Sequence, residues 1–135
     1  MTSANVVQGI AVLIAALFVS PAASAVDLDG AWANDLSVCN KIFAKKNNTI
    51  SITRDSDQYG SGFIISGNQI KGKVATCTVK SRKEDGSILH LIASCSTDVA
   101  LSTVQISFKL DSEDRLTRVF PGLPEMTMPY VRCQP

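Results

Sequence analysis

From Thr49 onward the apolar residues recur every second position, in short runs separated by turn residues. Val104, Ile106, Phe108 and Leu110 alternate with Gln105, Ser107 and Lys109, and Leu89, Leu91, Ala93 and Cys95 keep the same period. A period of two places one face of a strand on a core and the other in water, which a helix cannot do. Thr49–Thr53, 59–66, a strand running to about Ser81 with Ala75, Cys77 and Val79 on one face, 115–120 and 130–133 complete the set. Asp55-Ser56-Asp57, Gly67-Asn68, Lys83–Gly86 and Asp111–Asp114 supply turn chemistry between them. Pro121, Pro124 and Pro129 mark an extended loop before the last strand.

The Gly67-Asn68 pair suits a two-residue hairpin turn. It sets Ser66 beside Gln69, Ile65 beside Ile70, and Phe63 over Gly72. Ahead of these strands, Gly30-Ala31-Trp32 reads as a short strand. Asn34 or Asp35 then caps a helix with Leu36, Cys39 and Phe43 at helical spacing, Val38 and Ile42 alongside. That helix is expected to end near Lys45-Lys46, before Asn47-Asn48. The expected fold is mainly β: a small antiparallel meander barrel of about eight short strands, with one short helix after the first strand. A two-sheet sandwich is the alternative, and closure is favoured because it leaves no exposed edge.

The chain has 135 residues, enough for one domain. All 25 charged residues follow position 25, and Gly9–Val19 is an unbroken apolar run of 11 residues. The run fits a signal-peptide core, is short for a membrane span, and leads to the small-x-small motif Ala23-x-Ala25. Residues 1–25 therefore read as a cleaved signal peptide and 26–135 as the mature domain, periplasmic or secreted, with no stable membrane anchor after cleavage. No Lys or Arg stands in residues 1–8, a departure from the usual pattern.

Four cysteines, Cys39, Cys77, Cys95 and Cys133, all fall in that mature domain. An even count in a small exported chain reads as two disulfides. The spacing contains no C-x-x-C, and the single His90 does not complete a zinc site, so no metal is expected. Cys77 and Cys95 share the apolar face of successive strands. A register joining them has an index sum of 172, which also aligns Val79 with Ala93. It needs a three-residue loop, Asp85-Gly86-Ser87, or a bulge, because the plain two-residue turn gives 171 and sends the sulfurs to opposite faces. Cys39 and Cys133 are left to tie the helix to the last strand.

A net charge of +1 with both signs mixed argues against nucleic acid and anionic membranes as partners. Lys80-Ser81-Arg82-Lys83 is answered at once by Glu84-Asp85. His90 lies mid-strand with no sequence-local carboxylate or nucleophile, the acids sit at turns, and Asp111–Asp114 lacks the ligand count and glycine of a calcium loop. Asn47-Asn48-Thr49 matches a glycosylation acceptor. No catalytic residue and no cofactor are expected. The expected role is a binding or interaction module for an unknown protein partner, of the protease-inhibitor kind or another, with a carrier of a small apolar ligand as the alternative. The proline-stiffened segment 121–126 would offer a protein-binding edge of the protease-inhibitor kind, and an apolar interior with Tyr130 and Arg132 would offer a ligand site. An enzyme using His90 and a carboxylate is the less favoured class.

Gly30-Ala31-Trp32 with Tyr130-Val131-Arg132 resembles the calycin pattern of lipocalins, fatty-acid-binding proteins and the compact bacterial metalloprotease inhibitors. The resemblance implies a small barrel whose Trp32 packs near Arg132 from the closing strand. Tyr59-Gly60-Ser61-Gly62-Phe63 and the terminal Tyr130-x-Arg132-Cys133 are similar to small exported alphaproteobacterial proteins without assigned function. That likeness implies export and disulfides, and no activity. Trp32, Tyr130 and Arg132 are thus the candidates for ligand contact or barrel closure.

Overall fold

A computed structural model describes residues 18–20 and 25–135. Most of the expected signal segment and its cleavage motif lie outside the described residues. In chain order the elements are β1 (Gly30–Ala33), a 3-10 turn (Leu36–Val38), α1 (Cys39–Ile42), β2 (Phe43–Lys46) and β3 (Thr49–Ile52). A second 3-10 turn (Ser56–Gln58) leads to β4 (Gly62–Ser66), β5 (Gln69–Lys71), β6 (Thr76–Asp85) and β7 (Ile88–Ser96). β8 (Leu101–Ser112), β9 (Arg115–Val119) and β10 (Thr127–Cys133) complete the chain. Eight strands close an antiparallel barrel in the order β1-β10-β9-β8-β7-β6-β5-β4, with β4 paired back onto β1. β2 and β3 form a separate hairpin outside it. Among the described residues no helix is long and apolar enough to cross a membrane.

The helix is shorter than its apolar spacing suggests. Asp35 caps the 3-10 turn through a 2.7 Å bond from the Ser37 amide to its carboxylate, but α1 ends at Ile42 rather than near Lys45-Lys46. Asn47 and Asn48 both take positive φ, 51° and 61°, the conformation of the tightest hairpin turns. That turn folds Phe43–Lys46 back on Thr49–Ile52, and Lys45 pairs with Ile50 instead of capping a helix. Leu36, expected on the buried stripe, is exposed.

α1 and the β2–β3 hairpin cover the outer face of β1 and β4. Ala31, Ala33, Cys39, Ile42, Phe43 and Cys133 are buried together there, with Ile64 against them. Fully burying a side chain such as Phe43 is worth about 1.5–3 kcal/mol, so this cover stabilises closure where the short strand β1 meets β4. Gly62 makes the approach close. A Cβ there would stand 2.8 Å from Phe43 Cζ, 2.9 Å from Ile42 Cγ2 and 3.0 Å from the Trp32 carbonyl oxygen. Asn34 fixes the loop before it, bonding the Ser61 amide through its side chain at 3.0 Å and the Ser61 carbonyl through its own amide at 3.2 Å.

Inside the barrel, Trp32, Ile65, Leu89, Leu91, Phe108 and Leu116 form the main core with Leu28 and Tyr130. Ser66 pairs with Gln69 and Ile65 with Ile70 across Gly67-Asn68, as the turn chemistry predicts. Phe63 does not lie over Gly72. The ladder stops at Ile64–Lys71, because Gly72 bonds Ala75 across the next turn, and Phe63 packs on Phe108 and Tyr130 instead.

Both disulfides form as the register argument requires, Cys77–Cys95 and Cys39–Cys133. Cys77 opposes Cys95 and Val79 opposes Ala93. Of the two ways to reach that register, the chain uses the bulge. Pairing steps from Val79–Ala93 to Ser81–Ile92, leaving Lys80 unmatched. β6 then continues to Asp85, which opposes Ile88 across a two-residue Gly86-Ser87 turn with Gly86 at φ 59°. Of the expected alternatives, loop or bulge, the bulge is the one observed, and only the expected end of this strand near Ser81 is corrected: a glycine at the first turn position satisfies a tight hairpin, and the extra residue moves into the strand.

A cup at the open end of the barrel

Antiparallel order puts the 67–68, 86–87 and 113–114 turns at one end of the barrel and the 72–75, 97–100 and 120–126 loops at the other. The two ends differ in chemistry. At the first, residues 26–29 lie over the barrel with Leu28 buried and the Asp27 carbonyl bonded by Arg132, and beside them a hollow of about 310 Å³ is lined by Val26, Leu28, Ile65, Ile70, Val79 and Leu91. Trp32 is fully buried, and its indole N–H donates to the Leu28 carbonyl at 2.9 Å.

Arg132 seals the same end. It lies opposite Trp32 in the β1–β10 register, with its guanidinium carbon 4.4 Å from the ring centroid. Its N–H groups donate to the carbonyls of Asp27 (3.1 Å), Asp29 and Glu113 (2.9 Å), and its Nε faces the Asp114 carboxylate at 3.2 Å. With its donors committed to backbone oxygens and one carboxylate, Arg132 has none directed at a ligand in the opposite half of the barrel. Asp29 adds a bond from the Gly67 amide at 2.8 Å, so the plug is tied to the β4–β5 turn as well.

The second end is open. A cup of about 410 Å³ sinks into the barrel there, walled by Phe63, Ile106, Phe108, Tyr130 and the Cys77–Cys95 bridge, with Thr97, Ser102 and Arg118 also lining it. Phe63 stacks on Phe108 at 5.6 Å between centroids and meets Tyr130 edge-on at 4.8 Å. This volume falls within the range of small-molecule sites, about 300–1,000 Å³. Around the mouth stand the exposed side chains of Val74, Val99, Leu101, Leu123 and Met126; Val99 is 95% exposed. The three turns at the closed end carry no large apolar residue. Exposed apolar residues gathered on one face mark interaction surfaces, whereas single ones do not.

Of the three candidates from the sequence, Trp32 and Arg132 meet at the closed end and Tyr130 lies in the cup wall. Sequence reasoning missed Arg118. Its signal was a cation in phase with Leu116 and Phe120, at an inward position of the β9 alternation. The Arg118 guanidinium carbon sits 4.9 Å from the Phe120 ring centroid, and among the described residues it forms no ion pair.

His90 is on the outer wall. Its Nδ1 is 2.8 Å from the Ser107 hydroxyl and 3.4 Å from the Gln105 amide nitrogen, which also reaches Ser107 at 3.3 Å. Ser107 is only 1% exposed, so its hydroxyl is sealed from substrate by the groups it bonds. The shallow hollow beside His90 is lined by Ser81, Arg82, Lys83, Ile92 and Gln105, none of them a carboxylate. The acids of 111–114 serve the fold: Asp111 accepts from Thr117 at 2.6 Å and Asp114 pairs with Arg132. Among the described residues no three His, Cys, Asp or Glu side chains gather into a metal-binding group.

Segment 121–126 is not extended as expected. The Leu123 amide bonds Phe120 and the Met126 amide bonds Leu123, making two successive turns. Glycine at φ 87° in position 122 admits the first of them. No protein-family model, no curated protein and no solved structure matches the chain.

Proposed function

We propose that this is an exported, non-catalytic binding protein that takes a small apolar ligand in the cup at the open end of its barrel. The observation that carries the reading is the cup itself, an apolar hollow open to solvent and lined by aromatic side chains, at the end of the barrel away from the Trp32–Arg132 pair. The calycin resemblance supports the same reading. Two disulfides and the 1–25 segment support an oxidising compartment outside the cytoplasm. The sealed Ser107 hydroxyl and the lack of a carboxylate beside His90 support a role without catalysis.

A protein partner is the second reading, favoured by the apolar rim of Val99, Leu101, Leu123 and Met126. The folded turns of 121–126 weigh against an extended inhibitory edge that pairs with a protease strand. Amide chemical-shift mapping with 1-decanol separates the two. Shifts confined to the strands around Phe63, Ile106, Phe108 and Tyr130, abolished by Ile106→Trp, are expected for a ligand cup. Shifts absent at saturating decanol, or confined to the outer wall, would overturn it. Intact mass of protein recovered from an exporting cell is expected to give an N-terminus at Val26.

A further inference from the structure

We infer that the protein self-associates as a twofold dimer, in which the β8 strands of two copies pair antiparallel along residues 101–105 with Thr103 on the axis. The inference is independent of what fills the cup.

β8 is twelve residues long and its neighbour β9 is five. Residues 101–109 of β8 pair with β7, but on the other side β9 reaches only as far as Ser107. The Leu110 amide bonds the Ser87 carbonyl and the Thr97 amide bonds the Ala100 carbonyl, both in the β7–β8 register. Even-numbered residues of β8 therefore turn their main-chain groups toward β7, because the bonded and non-bonded pairs of an antiparallel ladder alternate. Leu101, Thr103 and Gln105 point theirs to the other side, where among the described residues no backbone group meets them. β9 cannot lengthen to do so. Continued in register it would set Pro121 against Gln105, and proline has no N–H to give.

An open edge is a template for a further strand, and monomeric proteins blunt such edges with lysine, proline or a bulge. None of these stands in 99–106, Val-Ala-Leu-Ser-Thr-Val-Gln-Ile. The segment suits a second copy of itself. Its three free residues are symmetric about Thr103, so a twofold axis there opposes Thr103 to Thr103 of the partner subunit and Leu101 to Gln105 of the partner subunit. Every free donor then faces an acceptor. No like charges meet, and Thr–Thr pairs across strands are favourable. The lengths agree as well. Each free edge starts where the 97–100 turn ends and stops where β9 begins, so the turn of one copy reaches the β9 end of the other. Val99, 95% exposed, is thereby brought toward Leu123 and Met126 of the partner subunit, both about half exposed. Apolar side chains from both copies leave water in one closed, isologous interface. Ser102 and Val104 line the cup, so the added strand extends its wall.

Sedimentation velocity of the full mature protein, from micromolar to millimolar, is expected to show a reversible shift from monomer to dimer. Amide hydrogen exchange should slow with concentration at Leu101, Thr103 and Gln105, and stay unchanged at Ser102 and Val104, which already bond β7. Thr103→Lys places two cations together on the axis and Thr103→Glu two anions. Each alone is expected to weaken the dimer by about tenfold or more, and an equimolar mixture of the two to restore it. Thr103 is exposed and its main-chain groups face away from β7, so neither change removes a bond within one copy. Thermal melting checks the fold, and Thr103→Pro, which deletes only an edge N–H and should also be monomeric, serves if a charged variant does not fold. A wild type that stays monomeric at millimolar concentration would overturn the inference and leave the edge to a strand of a different protein. A dimer that the single variants retain, or a mixture that fails to re-associate, would overturn the pairing about Thr103.

Discussion

Trp32 and Arg132 face each other across the β1–β10 register, and the guanidinium carbon lies 4.4 Å from the centroid of an indole that is fully buried. The pair joins the first and last strands of the barrel, which are far apart in sequence. Arg132→Ala removes the stacked cation and leaves the carbonyls of Asp27, Asp29 and Glu113 without their shared donor. We expect a loss of about 2–3 kcal/mol, the scale of charged hydrogen bonds. Chemical denaturation with and without decanol measures it, and the loss is expected to be the same in both.

The two bridges are expected to contribute unequally. Cys39–Cys133 spans 94 positions and Cys77–Cys95 spans 18, and the loop-entropy account assigns them about 4.7 and about 3 kcal/mol. Replacing Cys39 and Cys133 together by Ser should therefore lower the denaturation midpoint more than replacing Cys77 and Cys95. Equal losses would show that the outer bridge constrains the unfolded chain no more than the inner one.

Gly62→Ala is expected to destabilise by about 1–3 kcal/mol, the range for overpacking. The added methyl meets Phe43, Ile42 and the Trp32 carbonyl within 2.8–3.0 Å, and the last of these is backbone that cannot turn aside. Gly67→Ala, where nothing lies within 4 Å of the added methyl, tests the alternative of backbone strain alone at a φ of 58°. Thermal melting of both variants separates crowding from strain.

The hydroxyl and amide of Ser37 hold the Asp35 carboxyl below the usual carboxylate range. The sign follows from that lowering. The cap's contribution is complete above the ordinary carboxylate pKa of about 3.9 and is lost as pH falls through the lowered folded value. The difference in midpoint between wild type and Asp35→Ala should be constant near neutrality and shrink below about pH 4. Asp35→Ser retains a cap oxygen without the charge, and its advantage over Ala should not change across the same range. Melting curves at a series of pH values read both.

The barrel was legible because its strands repeat a two-residue period for long enough to exclude a helix, and because the Cys77–Cys95 face fixed one register. What escaped was decided by residues acting out of phase with their neighbours. Phe43 reads equally well at the end of a helix or the start of a strand, and the positive φ of Asn47 and Asn48 decided for the strand. The register sum demanded one extra residue near the β6–β7 turn, but whether it enters the loop or the strand depends on barrel curvature, which leaves no pattern in the chain. The cup was hidden for another reason. Phe63, Ile106 and Phe108 have the alternation of any core strand, and only three-dimensional closure shows that, among the described residues, they line a hollow of about 410 Å³. Arg118 did carry a signal, an inward-phase cation, but it was absorbed into an ordinary turn-to-strand passage.

The chain enters β1 and leaves β10 at the end that Trp32 and Arg132 close. Whatever is attached beyond Pro135, whether a tag, a surface or a fused domain, is therefore held on the side away from the mouth. A molecule immobilised by Pro135 presents Val99, Leu123 and the cup outward, toward whatever solution flows past it.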